Sequence, residues 1–468
     1  MTPTTALAVW AICLAGLLYF DPAKRTRTSL ALWMPVAWMF FIGSRLPSQW
    51  FDGQVVGLES VALQEGNALD RGVFLVLIVT AVAILASRSF SWRDFVQNNL
   101  ALTTFIAFAL LSILWSDFPF VSFKRWFRDL GSYLAILVVL SDAEPLEAVR
   151  TTLRRLSYLL IPLSILLIKY FPLLGRQYSE WTGEAMYVGP ATSKNSLGVV
   201  CLVSGLFFFW DTLVRWSDRS ERRTKVIIAI NIAFIAMTIW LLYLSHSATS
   251  RVCLILGCLV IAVARSQVFQ RRPFVLNVVV PALLCLFPIL VFGFNMNAEL
   301  AGVVGRDGTF TDRTEIWEMV TSMQTNPLVG TGYESFWLGD RLNTIWQSKI
   351  GGINEAHDGY LEVYLNLGII GLALLMIFLI GSYRAICRQL ATDSFFPSLA
   401  LAIWIVAVIY NITESAFKSH FMWVVLLLAA IHLSTGVHDA VGESEESELP
   451  GEPEEELVAP GAWSTGTA

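Results

Sequence analysis

The chain has 468 residues, 55% of them hydrophobic and only 15% charged, with a mean hydropathy of +0.61. Soluble domains carry about 25% charged residues, so this composition excludes a string of soluble domains and points to a polytopic membrane protein. The net charge of −5 belongs to the end of the chain: from Asp439 onward there are nine acids and no base, which leaves the rest at +4. The six cysteines (Cys13, Cys201, Cys253, Cys258, Cys285 and Cys387) lie mostly inside apolar runs. That is how small buried hydrophobes are used, and neither a disulfide framework nor a metal site follows from their spacing.

A bilayer span takes roughly 17–25 apolar residues. In chain order, about thirteen windows qualify, near 5–20, 30–44, 72–87, 99–115, 131–141, 155–171, 195–214, 226–244, 252–268, 274–294, 360–381, 398–414 and 420–435. The first lacks a basic n-region and a small-residue cleavage site, so it reads as a retained helix. The 131–141 window is short and must borrow flanking residues. Alternate short loops hold the cations: Lys24, Arg25 and Arg27; Arg88 and Arg93; Arg150, Arg154 and Arg155; Arg215 to Lys225; Arg265, Arg271 and Arg272; Arg384 and Arg388. The positive-inside rule turns these loops to the cytoplasm, together with an acidic tail whose composition predicts disorder.

The resulting organisation is all-α: N-terminal transmembrane helices (1–98), a central transmembrane region (99–294), one long periplasmic loop (295–359), C-terminal transmembrane helices (360–436) and the tail (437–468). A loop of that length in a compact protein is usually functional. Within it, Asp312 is placed to cap a helix from Arg313 to about Gln324, ended by Pro327 and Gly330. A second helix is expected to start near His357 and continue into the membrane through GYLEVYLNLGIIGLALL. Gly330-Thr331-Gly332 reads as a turn.

There is no phosphate-binding P-loop, no Asp-x-Asp and no His-Glu-x-x-His. ATP hydrolysis, metal-dependent sugar-nucleotide transfer and zinc proteolysis therefore lack their motifs. What the external side does offer is cationic. Arg251 stands at a helix mouth in SHSATSR, Arg313 opens the loop helix in TDRTEIW, and His357 follows in NEAHDGYLE. Two spans separate Arg251 from Arg313, so both share one side of the membrane. Two guanidiniums suit a diphosphate through paired charge-assisted hydrogen bonds, and an imidazole suits general-base work near neutral pH. Nearby Arg would keep His357 neutral, while Glu355 and Asp358 would push the other way. Each residue also has a plain structural reading: an interfacial snorkel for Arg251, an ion pair with Asp312 or Glu315 for Arg313, a helix cap for His357. Lys194 and Asn195 start a helix on the same side and could help an anion bind. Lys124, Arg125 and Arg128 sit on an aromatic-rich stretch suited to headgroups or to glycan. Tyr333, Glu334 and Trp337 offer stacking and hydrogen bonds to sugar. Asn411-Ile-Thr413 matches a glycosylation sequon by chance at a span end, and His420 and His432 read as structural.

The segments SHSATSR (245–251), DRTEIWEMV with NPLVGTGYESF (312–336) and AHDGYLEVYLNLGIIGL (356–372) resemble the O-antigen ligase and Wzy-type polymerase superfamily of bacterial membrane glycosyltransferases. LWSDFPFVSFKRWFRDLG (114–131) and ATSKNSLG (191–198) look more like its exopolysaccharide-polymerase branch, the ExoQ-like proteins. The resemblance covers most of 99–435. It implies a GT-C-like fold of about 12–13 transmembrane helices in the bacterial inner membrane, a periplasmic active site and inverting transfer without metal or other cofactor. The donor would be an undecaprenyl-diphosphate-linked glycan, the acceptor a growing polysaccharide or a lipid. Flippase and chain-length regulator proteins are implied as partners, and nucleic acid is not. The family's functional histidine maps onto His357 and its phosphate-contacting arginines onto Arg251 and Arg313. Asp358 departs from the Asn or Ser that many members carry after the histidine. Polymerase and lipid A-core ligase both remain open, as does, from another class, a transporter of lipid-linked glycan; few mid-span charges and no internal repeat speak against the last.

Overall fold

The structure is a computed structural model, and it describes residues 1–22, 26–51, 66–88, 90–178, 183–266, 275, 278–282, 284, 310–323, 325–348, 352–392, 395–418 and 420–433. Most of the expected span at 274–294, the first part of the 295–359 loop and the acidic tail at 437–468 lie outside these residues.

Met1–His432 forms one compact unit. Its main helices are α1 (Pro3–Tyr19), α2 (Trp33–Gly43), α3 (Ala68–Ser87), α4 (Trp92–Asn98), α5 (Leu100–Leu111), α6 (Pro119–Leu140), α7 (Pro145–Tyr170) and α8 (Lys194–Arg215). They continue with α9 (Arg222–Ser245), α10 (Ala248–Ala264), α11 (Phe310–Ser322), α12 (Gly339–Gln347), α13 (Gly359–Thr392), α14 (Phe395–Tyr410) and α15 (Phe421–Ala430). A two-stranded hairpin pairs Arg176–Tyr178 with Ala185–Tyr187, among otherwise helical described elements. The protein is an all-α polytopic membrane protein. Outside 274–294, most of which is not among the described residues, a helix stands at each expected span, and the short 131–141 window is completed by residues from 119 onward in α6. By length and apolarity alone, five of the described helices cross a bilayer, or six when α4 and α5, bent by 100° at Asn99, count as one broken span. Five further apolar helices have 10–17 residues, at 1.5 Å per residue shorter than a 30 Å hydrocarbon core.

Helix α8 is the axis of the bundle. It packs on α7, α9, α10, α14 and α15, and most of its length is buried. Its middle is apolar apart from Ser204, which accepts from Ser157 Oγ at 3.0 Å, and each end carries a different polar cluster. At the C-terminal end, the Asp211 carboxylate accepts from Arg215 Nε (2.9 Å) and Asn231 Nδ2 (2.9 Å) and lies 3.5 Å from Arg154 Nη2. Arg155 Nε donates to Asp21 at 2.8 Å. Arg154 and Arg155, counted in the sequence as loop cations, are therefore inside α7, buried among acids from α1's end and α8. About 24 Å away along α8, its N-terminal end bears the polar residues of the candidate site.

Two sequence motifs that read as separate turn and helix are one interlocked unit. Helix α13 is broken at Gly368 (φ 65°, ψ −167°) and does not run unbroken from residue 359. The break accepts the NPLVGTGYESF loop: Ile369 and Ile370 N–H donate to the Pro327 and Leu328 carbonyls, and Thr331 and Gly332 N–H donate to those of Leu365 and Asn366. Asn366 Oδ1 takes the N–H groups of Ser335 and Phe336. A Cβ on Gly368 would lie 2.3 Å from the Leu328 carbonyl carbon, and one on Gly330 (φ 66°) 2.4 Å from that of Asn366. Helix α11 also starts at Phe310, so Asp312 lies within its first turn instead of capping it; an acid favours the positive helix end from either place.

Gly368→Ala and Gly330→Ala should each destabilise the detergent-solubilised protein by about 1–3 kcal/mol through left-handed strain and backbone overlap. Gly381→Ala, in open space on α13, should leave the melting temperature unchanged or slightly raised, as measured by thermal unfolding.

Candidate functional site

The site forms where the N-termini of α8, α10 and α13 meet α11 and the 411–420 connection between α14 and α15. Its centre is Glu414, 7% exposed, on a segment fixed by Asn411. The Asn411 amide donates to the Ala407 carbonyl and accepts from Ala416 N–H, while its own backbone carbonyl takes the N–H of Gly359. With its amide so engaged and 1% exposed, the Asn411 sequon is structural.

Glu414 joins three elements. Its Oε1 accepts from Arg313 Nη2 on α11 (3.1 Å) and from Asn195 Nδ2 on α8 (2.9 Å), and its Oε2 lies 3.7 Å from His357 Nδ1. His357 Nδ1 is also 3.2 Å from Glu355 Oε1, and Glu355 Oε2 is 3.2 Å from Lys418 Nζ. His357 itself adopts a left-handed backbone (φ 50°). That strain is held in place on both sides. Asp358 accepts from Tyr360 and Leu361 N–H as the cap of α13. Ala356 N–H donates to Glu362 Oε2, and the Ala356 carbonyl accepts from Trp317 Nε1. The other described non-glycine residues with positive φ are His246 and Glu334. Both lie in the motif loops at this same end, and such strain gathers at sites the surrounding structure over-determines.

A second cluster stands on α6. Arg125 donates to the Glu334 carbonyl, Arg128 Nε pairs with Asp129 (3.0 Å), and Asp129 accepts from Tyr333 OH (2.7 Å). Burial, with the Asp129 and Glu334 carboxylates, raises the Tyr333 phenol well above its usual range, so it stays a donor. Tyr333 N–H reaches Ser112 Oγ and Trp115 Nε1 the Val329 carbonyl, tying LWSDFPF to the loop. This half of α6 thus packs on the loop through these residues, while Phe120 and Phe123 on the same half are exposed. Trp337, 6% exposed, donates to Glu362 Oε1 (2.7 Å) and so is not presented to a sugar.

Among the residues singled out by sequence, Arg313, His357 and Asn195 converge, and Arg125, Arg128, Tyr333 and Glu334 form the neighbouring cluster. Arg251 does not join the carboxylates: its Nε and Nη2 donate to the Leu242 and Tyr243 carbonyls at the end of α9 (both 3.1 Å). Its helix is tied in two residues earlier, by Thr249 Oγ1 to Thr413 Oγ1 at 3.0 Å. Lys194 is exposed beside Asn195. Glu414, Lys418 and Glu362 were missed. The available signal was a run of polar residues, NITESAFKSH, between two apolar spans.

Burial opposes a charged His357, but the Glu414 and Glu355 carboxylates outweigh it and Arg313, and its pKa lies above the ordinary 6.5. Asp358 makes no such contribution, because its carboxylate is turned to the α13 N–H groups. Glu355, His357 and Glu414 offer atoms within 4.8 Å of one another that could meet on a metal ion. Their carboxylates already hold Lys418 and Arg313, which supply the counter-charge an ion would bring, and Glu414 also takes a hydrogen bond from the neutral Asn195 amide.

Part of this geometry falls inside a recognisable stretch of sequence. Residues 232–376, which include Arg251, Arg313, Glu355 and His357, match the family model described as Wzy_C, O-antigen ligase. Over 319 residues the chain is 24% identical to the exopolysaccharide production protein ExoQ of Rhizobium meliloti (strain 1021), covering 65% of this chain and 69% of that protein. The matched region contains His357 and both arginines, while Glu414, Lys418 and Asn195 come from outside it.

Glu414→Ala removes the buried carboxylate partner of Arg313. It should lower stability by about 3 kcal/mol, read as a fall in melting temperature, with a smaller fall for Glu414→Gln, which keeps the hydrogen-bonding shape.

Proposed function

We propose that this protein is a glycosyltransferase of bacterial surface-polysaccharide assembly, moving a glycan from an undecaprenyl diphosphate to a sugar hydroxyl on the periplasmic face of the inner membrane. The observation that carries it is the meeting of His357 and Arg313, both inside the region that matches the O-antigen ligase family, on one buried carboxylate at one end of a membrane bundle.

With Nδ1 turned toward Glu355 and Glu414, the other ring nitrogen, Nε2, takes the proton of the acceptor hydroxyl. The freed oxygen attacks the anomeric carbon, and the bond to the diphosphate breaks on the opposite face with inversion. The leaving diphosphate departs with the electron pair. Arg313 and Arg251 stabilise its growing charge, a contribution of a few kcal/mol each in such sites. Carbonyl hydrogen bonds fix the Arg251 guanidinium in orientation, and Glu414 does the same for Arg313. Lys194, Asn195, Arg125, Arg128, Tyr333 and Glu334 line the surroundings where donor and glycan would lie. The lipid diphosphate itself is the energy source, and no metal is required.

The relative's name, an exopolysaccharide production protein, favours joining one repeat unit to another; the family description favours ligation to a lipid acceptor. Deletion separates them: loss of high-mass polymer with repeat units still made marks a polymerase, and free polymer without its anchor marks a ligase.

His357→Ala should abolish product at equal expression, and wild-type output from it would remove the base from this account. Because the base works neutral and its pKa is raised, activity should rise with pH through a midpoint above 6.5 and be lost on the acid side. A midpoint below that value, in a transfer assay in liposomes, would contradict the assignment. On this reading Asp340, on α12, faces the periplasm, so a cysteine there should react with impermeant reagent from that side alone.

A further inference from the structure

Lys418 is buried among acids and is not required by the reaction as written. Its Nζ lies 3.2 Å from Glu355 Oε2 and 3.8 Å from Glu362 Oε1, with its side chain 21% exposed. Glu355 is shared: Oε2 faces Lys418 and Oε1 faces His357 Nδ1 at 3.2 Å. Glu362 is held separately, by Trp337 Nε1 and Ala356 N–H.

We propose that Lys418 is a positioning residue for the base: by binding the far oxygen of Glu355 it draws carboxylate charge away from His357 and keeps the imidazole available to accept a proton. This rests on the proposed role of His357. Among the described residues, the charged groups around the ring divide by sign. Glu355 and Glu414 face Nδ1 and favour the imidazolium; Arg313 on α11 opposes it. Asp358 is turned away into the α13 cap, and Glu334 and Glu362 act on Lys418. His420, which also feels Glu355, is engaged through Nδ1 by Met422 N–H as the cap of α15. Each carboxylate facing Nδ1 thus has its own cation, Arg313 on Glu414 and Lys418 on Glu355. Burial opposes the charge on both partners of the second pair, yet Lys418 and His357 hold the Glu355 carboxyl below its usual range, and Glu362 and Glu355 hold the Lys418 ammonium above its own.

Without Lys418, Glu355 has one fewer cation and its pull on the imidazolium grows. The sign follows: Lys418→Met raises the His357 titration, Glu355→Gln lowers it, and Lys418→Arg leaves it near wild type. The experiment is the pH profile of transfer by the full chain in liposomes, beside the 15N-histidine NMR titration of the same variants in nanodiscs. The chain has only five histidines, and His357→Gln assigns the signal. Lys418→Met should move the acidic limb and the imidazole titration upward by about one pH unit, so that activity lost near neutrality returns at alkaline pH. Glu355→Gln should move both downward, and in its background Lys418→Met should add little. A uniform loss at all pH values, an unmoved titration, or the same Lys418→Met shift with and without Glu355 overturns the proposal. If Lys418→Met does not fold, Glu355→Gln alone decides it, an unmoved or upward titration being the contrary result. An imidazole that titrates as described while the pH profile stays flat would instead count against His357 as the base.

Discussion

The Glu414 carboxylate carries the arrangement. One buried group accepts from α8 through Asn195 and from α11 through Arg313, and it faces the His357 ring just ahead of α13. A charge at 7% exposure is tolerable only when its lone pairs are used, and three different elements supply the partners. The requirement that a buried acid be satisfied thereby fixes how the helices meet at this end. Were Glu414 apolar, the same helices could pack, but nothing would bring the guanidinium and the imidazole to one point.

The rest of that end is organised to make this point rigid. The NPLVGTGYESF loop is bonded into the break of α13 at Gly368, so the chain just after His357 is anchored by main-chain hydrogen bonds from another segment. On its far side the loop rests on α6 through Arg125, Asp129 and Trp115. Ionic contacts at the other end, around Asp211 and Arg154, tie α7, α8 and α9 together away from the site. Between the two ends the bundle is mostly apolar, with a few buried hydrogen bonds such as Ser157 to Ser204 and Trp38 to Ser132, so the charged interactions act at its ends.

The helices were legible in the sequence because a span declares itself by apolar length, and even the short 131–141 window signalled its need for neighbours. Arg313, His357 and Asn195 were legible as chemistry-bearing types in motif segments. Their meeting point was not, because Glu414 sits outside those motifs and its role comes from a contact made across 219 residues of chain to Asn195. The break in α13 was hidden for a related reason: LNLG reads as helix with one tolerated glycine, and only the loop inserted there makes a left-handed residue necessary. Arg154 and Arg155 misled in the other direction, since cations near a span end look like loop anchors until acids from distant helices are seen to bury them.

The central claim is that Arg313 and Glu414 act as one unit. A double-mutant cycle of Arg313→Gln, Glu414→Gln and the pair, read as melting temperature and as transfer rate, measures that directly. Groups in contact show coupling of about 0.5–3 kcal/mol, and here the double variant should be little worse than either single one. Losses that simply add would show that the two residues act independently and would contradict the account.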